Sequence, residues 1–538
     1  MSRPNPFILI GIVALLCGGY GWLTASVGAF YVSSHEGDTL HMLDIIFRMN
    51  SGLSPHLDFV TPLGFLGFAP FALLMEQGYS VGHAIVFGQV AVSVILAPLI
   101  LYVAYTRLLG WAAYAFAAMM VVFCLALSFG GIGAGLSMSM HYNRWAWSVA
   151  SLAILIALLP RQGRESRGFD GVLLALLFSI LVMIKVTFFV AILPGVVVAL
   201  WAQGRRRELG VACVSGVFFA VLLIFALGPA FWLAYASDLL NVARSEVRPH
   251  TGVPFSDIIG APRFIAVTIV GFLALHFAAR AGLRAQALGL IFLFPGFLFI
   301  TWQNFGNDPK WLVPLAALLW TLSSFPPVED HADYRQRFRF LAGMAALLFL
   351  PSAMTLATSP IKHAAQNAAD YEPMLPPHAA MADIYVRRDR GYSMKAESHF
   401  DDPGGSWTQF SDLLDKPEPL AINGISFSAC EFRAGSVGWL RTIGADLRDI
   451  GVEEGSALFT ADILSFFWLY EAYRPLMNGA PWYYGELSGI ENADYIVVPK
   501  CGFAGRARQI IISDIVEFDL SLETIADTNR VAVFRPIR

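Results

Sequence analysis

Charge is scarce in this sequence. Of 538 residues, 14% are Asp, Glu, Lys or Arg, against roughly 25% in ordinary soluble domains. The mean hydropathy is +0.59, which excludes a conventional soluble reading of the whole chain and points to the membrane. Phosphate-cradling loops are missing as well: neither a G-x-x-x-x-G-K-[ST] stretch nor a dinucleotide fingerprint occurs. With a net charge of -4 there is no basic surface for nucleic acid. Cysteine is sparse, with Cys17, Cys124 and Cys213 in apolar runs and Cys430 and Cys501 alone in the polar tail.

What the chain has is apolar length. Residues 6–32 are too long for a signal-peptide core and carry no small-residue cleavage site, so they read as a retained helix. A crossing takes about 20 apolar residues, and candidates lie near 8–30, 82–105, 111–134, 145–160, 211–234, 263–279, 286–302, 311–326 and 338–358. Residues 171–202 hold a single charge, Lys185, at the middle; as one helix they would be about 48 Å long, against an apolar layer of about 30 Å. Basic residues flank both ends, Arg161, Arg164 and Arg167 before and Arg205, Arg206 and Arg207 after. The positive-inside rule puts both ends in the cytoplasm, which predicts two short helices turning near Lys185. Residues 59–75, interrupted by Pro62, Gly64, Gly67 and Pro70, read as interfacial or re-entrant.

These choices predict a polytopic α-helical membrane domain over 1–358 with about eleven crossings, followed by an extracytoplasmic α/β domain over 359–538. The N-terminus falls in the cytoplasm. Outer segments are 31–81, 135–144, 235–262, 303–310 and the tail. Short Arg-rich inner loops, and a tail without an N-x-S/T acceptor, favour a bacterial inner membrane with a periplasmic tail.

The first outer loop, 31–62, concentrates acidic and histidine side chains. From Asp38 to Asn50, Met42, Ile45, Ile46 and Met49 share one helical face and His41, Asp44 and Arg48 the other. This predicts an amphipathic helix flat on the bilayer, ended by Gly52 and carrying a weak Asp44–Arg48 surface pair. Glu36 and Asp38 then lie at the exit of the first crossing, where Asp38 also fits an ordinary helix cap. His35, Asp38 and His41 have H-x-x-D-x-x-H spacing that suits a divalent metal; a solvated interfacial face explains the same residues.

The succession of a first membrane helix, Glu36-Gly37-Asp38, an amphipathic helix, Gly52, Pro55, Asp58-Phe59 and Pro62 resembles the first loop of the GT-C superfamily of membrane glycosyltransferases. That superfamily includes protein O-mannosyltransferases and lipid A aminoarabinose transferases. The resemblance implies a sugar donor on a polyprenyl phosphate, a lipid, glycan or protein acceptor, and an acidic residue of this loop as the base. Many members carry adjacent acids where this chain has Glu-Gly-Asp, so either Glu36 or Asp38 is the base.

Such a transfer breaks a C1–O bond through a cation-like sugar, so it needs a base for the acceptor hydroxyl and positive charge for the departing phosphate. The cationic candidates at outer helix ends are Arg144, in His141-Tyr142-Asn143-Arg144, Lys185, and Lys310, which follows the polar tip Trp302–Asp308. His141, Asn143 and Asp58 complete the substrate-binding candidates. Plainer roles fit each: an interfacial anchor beside Trp145 and Trp147 for Arg144, a snorkelling amine for Lys185, a plain turn around Lys310. A lipid or sugar transporter or flippase is the rival class, and a polysaccharide ligase or polymerase the nearer variant. Transporters place their sites on broken helices near the midplane, whereas these charges gather at outer ends.

In the tail, periodicity predicts a helix at 437–450, a strand at Ala457–Thr460, a helix through 461–474, and strands near Tyr495–Val498 and Val531–Phe534. Cys430 and Cys501, in a domain facing an oxidising compartment, are predicted to form a disulfide.

Overall fold

The computed structural model describes residues 2–163, 166–247, 254–325, 333–376, 379–398, 420–428, 430–518 and 520–537. Among the described residues, six helices are long and apolar enough to cross a membrane: Pro6–Ala25, Val81–Arg107, Arg167–Ala202, Arg206–Leu227, Arg284–Gln303 and Asp333–Ala364. Shorter apolar helices, Trp111–Leu125, Phe264–Arg280 and Leu312–Leu322, pack among them, and all 18 residues of His141–Leu158 are buried. Apolar runs become helices here because a helix satisfies every backbone N–H and C=O within itself, which hydrocarbon surroundings demand. The first begins with Asn5, whose side chain accepts the N–H groups of Phe7 and Ile8, and with Pro6 at a position that needs no donor.

The run Arg167–Ala202 turns at Lys185, the charge at its middle. At Lys185 the backbone leaves the helical region (φ -161, ψ 105), and the two arms fold back so that their far ends meet. Asp170, near the start, pairs with Arg107, while a Cβ on Gly171 would lie 2.7 Å from the Glu208 carbonyl just beyond the other end. The segment after the first outer loop packs on this tip. Its helix Ala69–Glu76 has only 8 residues, about 12 Å of rise, too short to cross. The Gly64 N–H donates to the Ile184 carbonyl at 3.0 Å, an approach that needs glycine, since a side chain there would collide with the Met183 carbonyl.

Three predicted boundaries move. The run 111–134 is helical only to Leu125; residues 126–140 form an irregular loop containing Gly130 (φ 109) and Gly133 (φ 68). The run 211–234 breaks at Gly228 (φ 81), where Pro229 starts a new helix, Pro229–Arg244. The last long helix continues past 358 to Ala364, so the tail begins later than hydropathy suggests.

The tail has a four-stranded sheet in the order Leu522–Asp527, Val531–Pro536, Tyr495–Pro499, Leu458–Thr460. Its pairings are antiparallel except the last, which is parallel. The helices Ser436–Ile450 and Gly505–Glu517 accompany it. The predicted helix through 461–474 shrinks to Phe467–Tyr470. Asp462 accounts for this: its carboxylate accepts the N–H groups of Ile463, Phe503 and Ala504, a local alternative that holds the backbone out of a helix. Cys430 and Cys501 form a disulfide with a Cα–Cα distance of 4.8 Å, 71 residues apart in sequence. Closing a loop of that length stabilises by about 4 kcal/mol in the chain-entropy treatment. Mass spectrometry of non-reduced protein should find neither thiol free, and Cys430→Ser should lower the tail's melting temperature.

The tail and the first outer loop are built together. Phe30–Val32, at the exit of the first long helix, pairs in parallel with Ile384–Arg387, matching Phe30 to Ile384 and Val32 to Val386. The helix Glu36–Asn50 runs beneath the tail, and the surface setting expected for it is corrected. Met42, Ile45, Ile46 and Met49 are buried in protein, as are His41, Asp44 and Arg48 on the opposite face. Arg48 and Asp44 form a buried ion pair at 2.7 Å. Arg48 also donates to the Leu476 carbonyl at 2.8 Å, and the Trp468 indole donates to Asp44 at 3.1 Å. Burial pushes the Asp44 carboxyl above the usual carboxylate range, opposed by Arg48. At the helix end Gly52 takes φ 88 and its N–H reaches the Met49 carbonyl, the left-handed cap expected of it.

Candidate functional site

The loop 31–62, the Lys185 tip and the segment around Asn304 meet near residues 126–143. The loop 31–62 is stitched to residues 126–140 near Leu136: the N–H groups of Ser33 and Ser34 both donate to the Leu136 carbonyl, and the Leu136 N–H donates to Ser33 Oγ at 2.9 Å. One helical turn further on, Ser139 Oγ donates to Asp38 Oδ2 at 2.6 Å. The Asp38 side chain remains half-buried, and it is the third residue of the helix Glu36–Asn50, where the helix N-terminus favours negative charge.

Glu36 is placed differently. It is 5% exposed and its Oε1 lies 2.9 Å from a guanidinium nitrogen of Arg390, a tail residue. His35, in the left-handed region at φ 52, is exposed, its ring edge-on to Phe129 at 4.8 Å. His41 points instead to Trp482, ring centroids 5.3 Å apart. The H-x-x-D-x-x-H spacing therefore does not gather its three side chains, because His35 precedes the regular helix while His41 is turned into the tail. Among the described residues no group of three His, Cys, Asp or Glu side chains is arranged to hold a metal ion.

On the other side of the loop stands Lys185 at the hairpin tip, 7% exposed. Its Nζ donates to Asn304 Oδ1 at 2.8 Å and Asn143 Oδ1 at 3.1 Å, and lies 5.4 Å from the centre of the Tyr142 ring. Asn143 Nδ2 also donates to Asn304 Oδ1 at 3.1 Å. Both of these acceptors of the Lys185 amine are neutral side-chain amides. Asn304, Ser139 and Arg390 escape a reading of the sequence. Asn304 lies in the polar tip 302–308 that hydropathy exposes, whereas Arg390 is 354 residues from its partner and carries no local signal.

Other candidates are structural. Arg144 is fully buried and donates to the carbonyls of Ser128 at 2.6 Å, Ser139 at 3.2 Å and Ala126; it clamps the loop from inside instead of facing a phosphate or the interface. His141 is equally buried, its nitrogens 3.1 Å from the Met138 carbonyl and 2.8 Å from that of Gly67. Asp58 accepts the Ser54 N–H at 2.7 Å and closes its own turn. Lys310 pairs with Asp308 and donates to the Phe129 carbonyl at 3.0 Å, so its charge is largely matched. No protein-family model, curated protein or solved structure matches the chain.

Proposed function

We propose that this protein is a glycosyltransferase that moves a sugar from a polyprenyl-phosphate donor to a lipid, glycan or protein acceptor on the extracytoplasmic side, with Asp38 as the base. One observation carries the reading: the segment 139–143 holds a carboxylate at one end, through Ser139 Oγ to Asp38, and a cation at the other, through Asn143 Oδ1 to Lys185. A half-buried carboxylate can accept the acceptor's proton, and a mostly buried ammonium can stabilise the departing phosphate. Glu36, already paired with Arg390, instead fastens the first loop to the tail. In this reading the fold makes about eleven crossings, the 167–202 hairpin counting as two, and the Lys185 tip and the 126–140 loop face the outer side.

Lys185→Gln removes the charge while keeping a donor for the two asparagines. It should weaken binding of a polyprenyl-phosphate sugar at least tenfold, measured on purified protein, with the melting temperature held within a few degrees. Unchanged donor affinity in folded Lys185→Gln would remove Lys185 from the site.

A further inference from the structure

Along the same hairpin, from its foot to within about one turn of Lys185, the helices leave a space. A cavity of about 340 Å³ lies between the two arms and the helix Arg206–Leu227, lined by Leu174, Phe178, Leu193, Gly216 and Ile224 among others, with no charged side chain. Ser179 contributes a hydroxyl, which is turned to the Ala175 carbonyl at 2.9 Å. The outer wall, Arg206–Leu227, has a mean hydropathy of 2.6 and none of its most apolar stretch is buried, so the cavity is separated from the hydrocarbon by one helix. Water gains nothing in so apolar a space, whereas a hydrocarbon chain fits its chemistry.

Charge fixes which chain. Leu209, in the cavity wall, follows Arg206 by three residues, about one helical turn, and Arg207 by two, and both arginines are exposed. Arg107, Arg161 and Arg205 lie nearby; Arg107 is paired with Asp170 and Arg205 with Glu208, and Arg161 donates to the Tyr102 hydroxyl, so the headgroup charge falls to the exposed Arg206 and Arg207. A basic helix end beside an apolar slot suits an anionic lipid headgroup.

We infer that this cavity holds one acyl chain of an anionic phospholipid from the leaflet on the basic side, with its phosphate at Arg206 and Arg207. The headgroup end of the site, at Arg206 and Arg207, lies at the foot of the hairpin, away from the Lys185 tip, and its lipid is a resident of the fold and not the sugar donor.

The test uses full-length protein exchanged into dioleoyl phosphatidylglycerol, dioleoyl phosphatidylcholine or a polyprenyl phosphate, with retained lipid read by native mass spectrometry. Phosphatidylglycerol should be retained at least tenfold over phosphatidylcholine, and Arg206→Ala with Arg207→Ala should erase that preference. A Cβ at Gly216 meets nothing within 4 Å, so Gly216→Trp can fill the cavity and should abolish retention; Ala220→Phe is a second filler, should the first fail to fold. Equal retention of the two phospholipids, full retention in a folded filler variant, or displacement of phosphatidylglycerol by polyprenyl phosphate would each overturn the assignment. Retained mass does not depend on sugar transfer, so the outcome is separable from that of the proposed activity.

Discussion

Asp38→Asn should reduce sugar transfer by about 10²–10⁴-fold, the usual worth of a positioned general base, while donor binding and melting temperature stay near those of the wild type. The substitution is nearly isosteric, and the amide oxygen can still accept from Ser139 Oγ, which now donates to Asp38 at 2.6 Å. What is lost is the lone pair that takes the acceptor's proton. Glu36→Gln should behave in the reverse manner. It weakens the contact with Arg390, lowers the melting temperature and loosens the tail, yet its folded fraction should still transfer. If Glu36→Gln abolished transfer and Asp38→Asn left it intact, the two carboxylates would exchange roles.

Arg144→Met should destabilise the protein by on the order of 4 kcal/mol, since three carbonyls that now accept from a buried guanidinium lose their donor, each at a cost of about 1–3 kcal/mol partly relieved by relaxation. Methionine keeps the apolar stem, so the loss comes from the hydrogen bonds and not from a cavity. Because those carbonyls span Ala126 to Ser139, the loop that carries the Asp38 contact should loosen with them. Melting temperature and transfer should fall together, with donor affinity unchanged in the folded fraction. An Arg144→Met protein that melts like wild type but binds donor weakly would instead make Arg144 a phosphate ligand.

The membrane helices were legible because length and hydropathy directly report the demand that backbone groups pair internally. The turn at Lys185 was legible for a related reason: a charge inside an over-long apolar run, with basic residues at both ends, has few other solutions. The disulfide followed from two cysteines alone in the tail. The loop 126–140 was hidden because its apolar residues read as a continuation of Trp111–Leu125, and nothing local says that Gly130 and Gly133 take positive φ. Pairing of Phe30–Val32 with Ile384–Val386 joins short segments some 354 positions apart, beyond any periodicity argument. Arg144, beside Trp145 and Trp147, has the composition of an interfacial anchor; only the tertiary arrangement turns it inward onto carbonyls. The periodicity of 38–50 shows a helix, but its polar face reads as water-facing because the tail that covers it folds from residues more than 330 positions later.

The most direct measurement is transfer itself. Purified wild-type protein supplied with radiolabelled polyprenyl-phosphate sugars and crude membrane acceptors should move label from the carrier to an acceptor, and the movement should stop in Asp38→Asn. If no donor and acceptor combination gave transfer with folded protein, the proposed activity would be contradicted, and the transport of a lipid or sugar would become the reading to pursue.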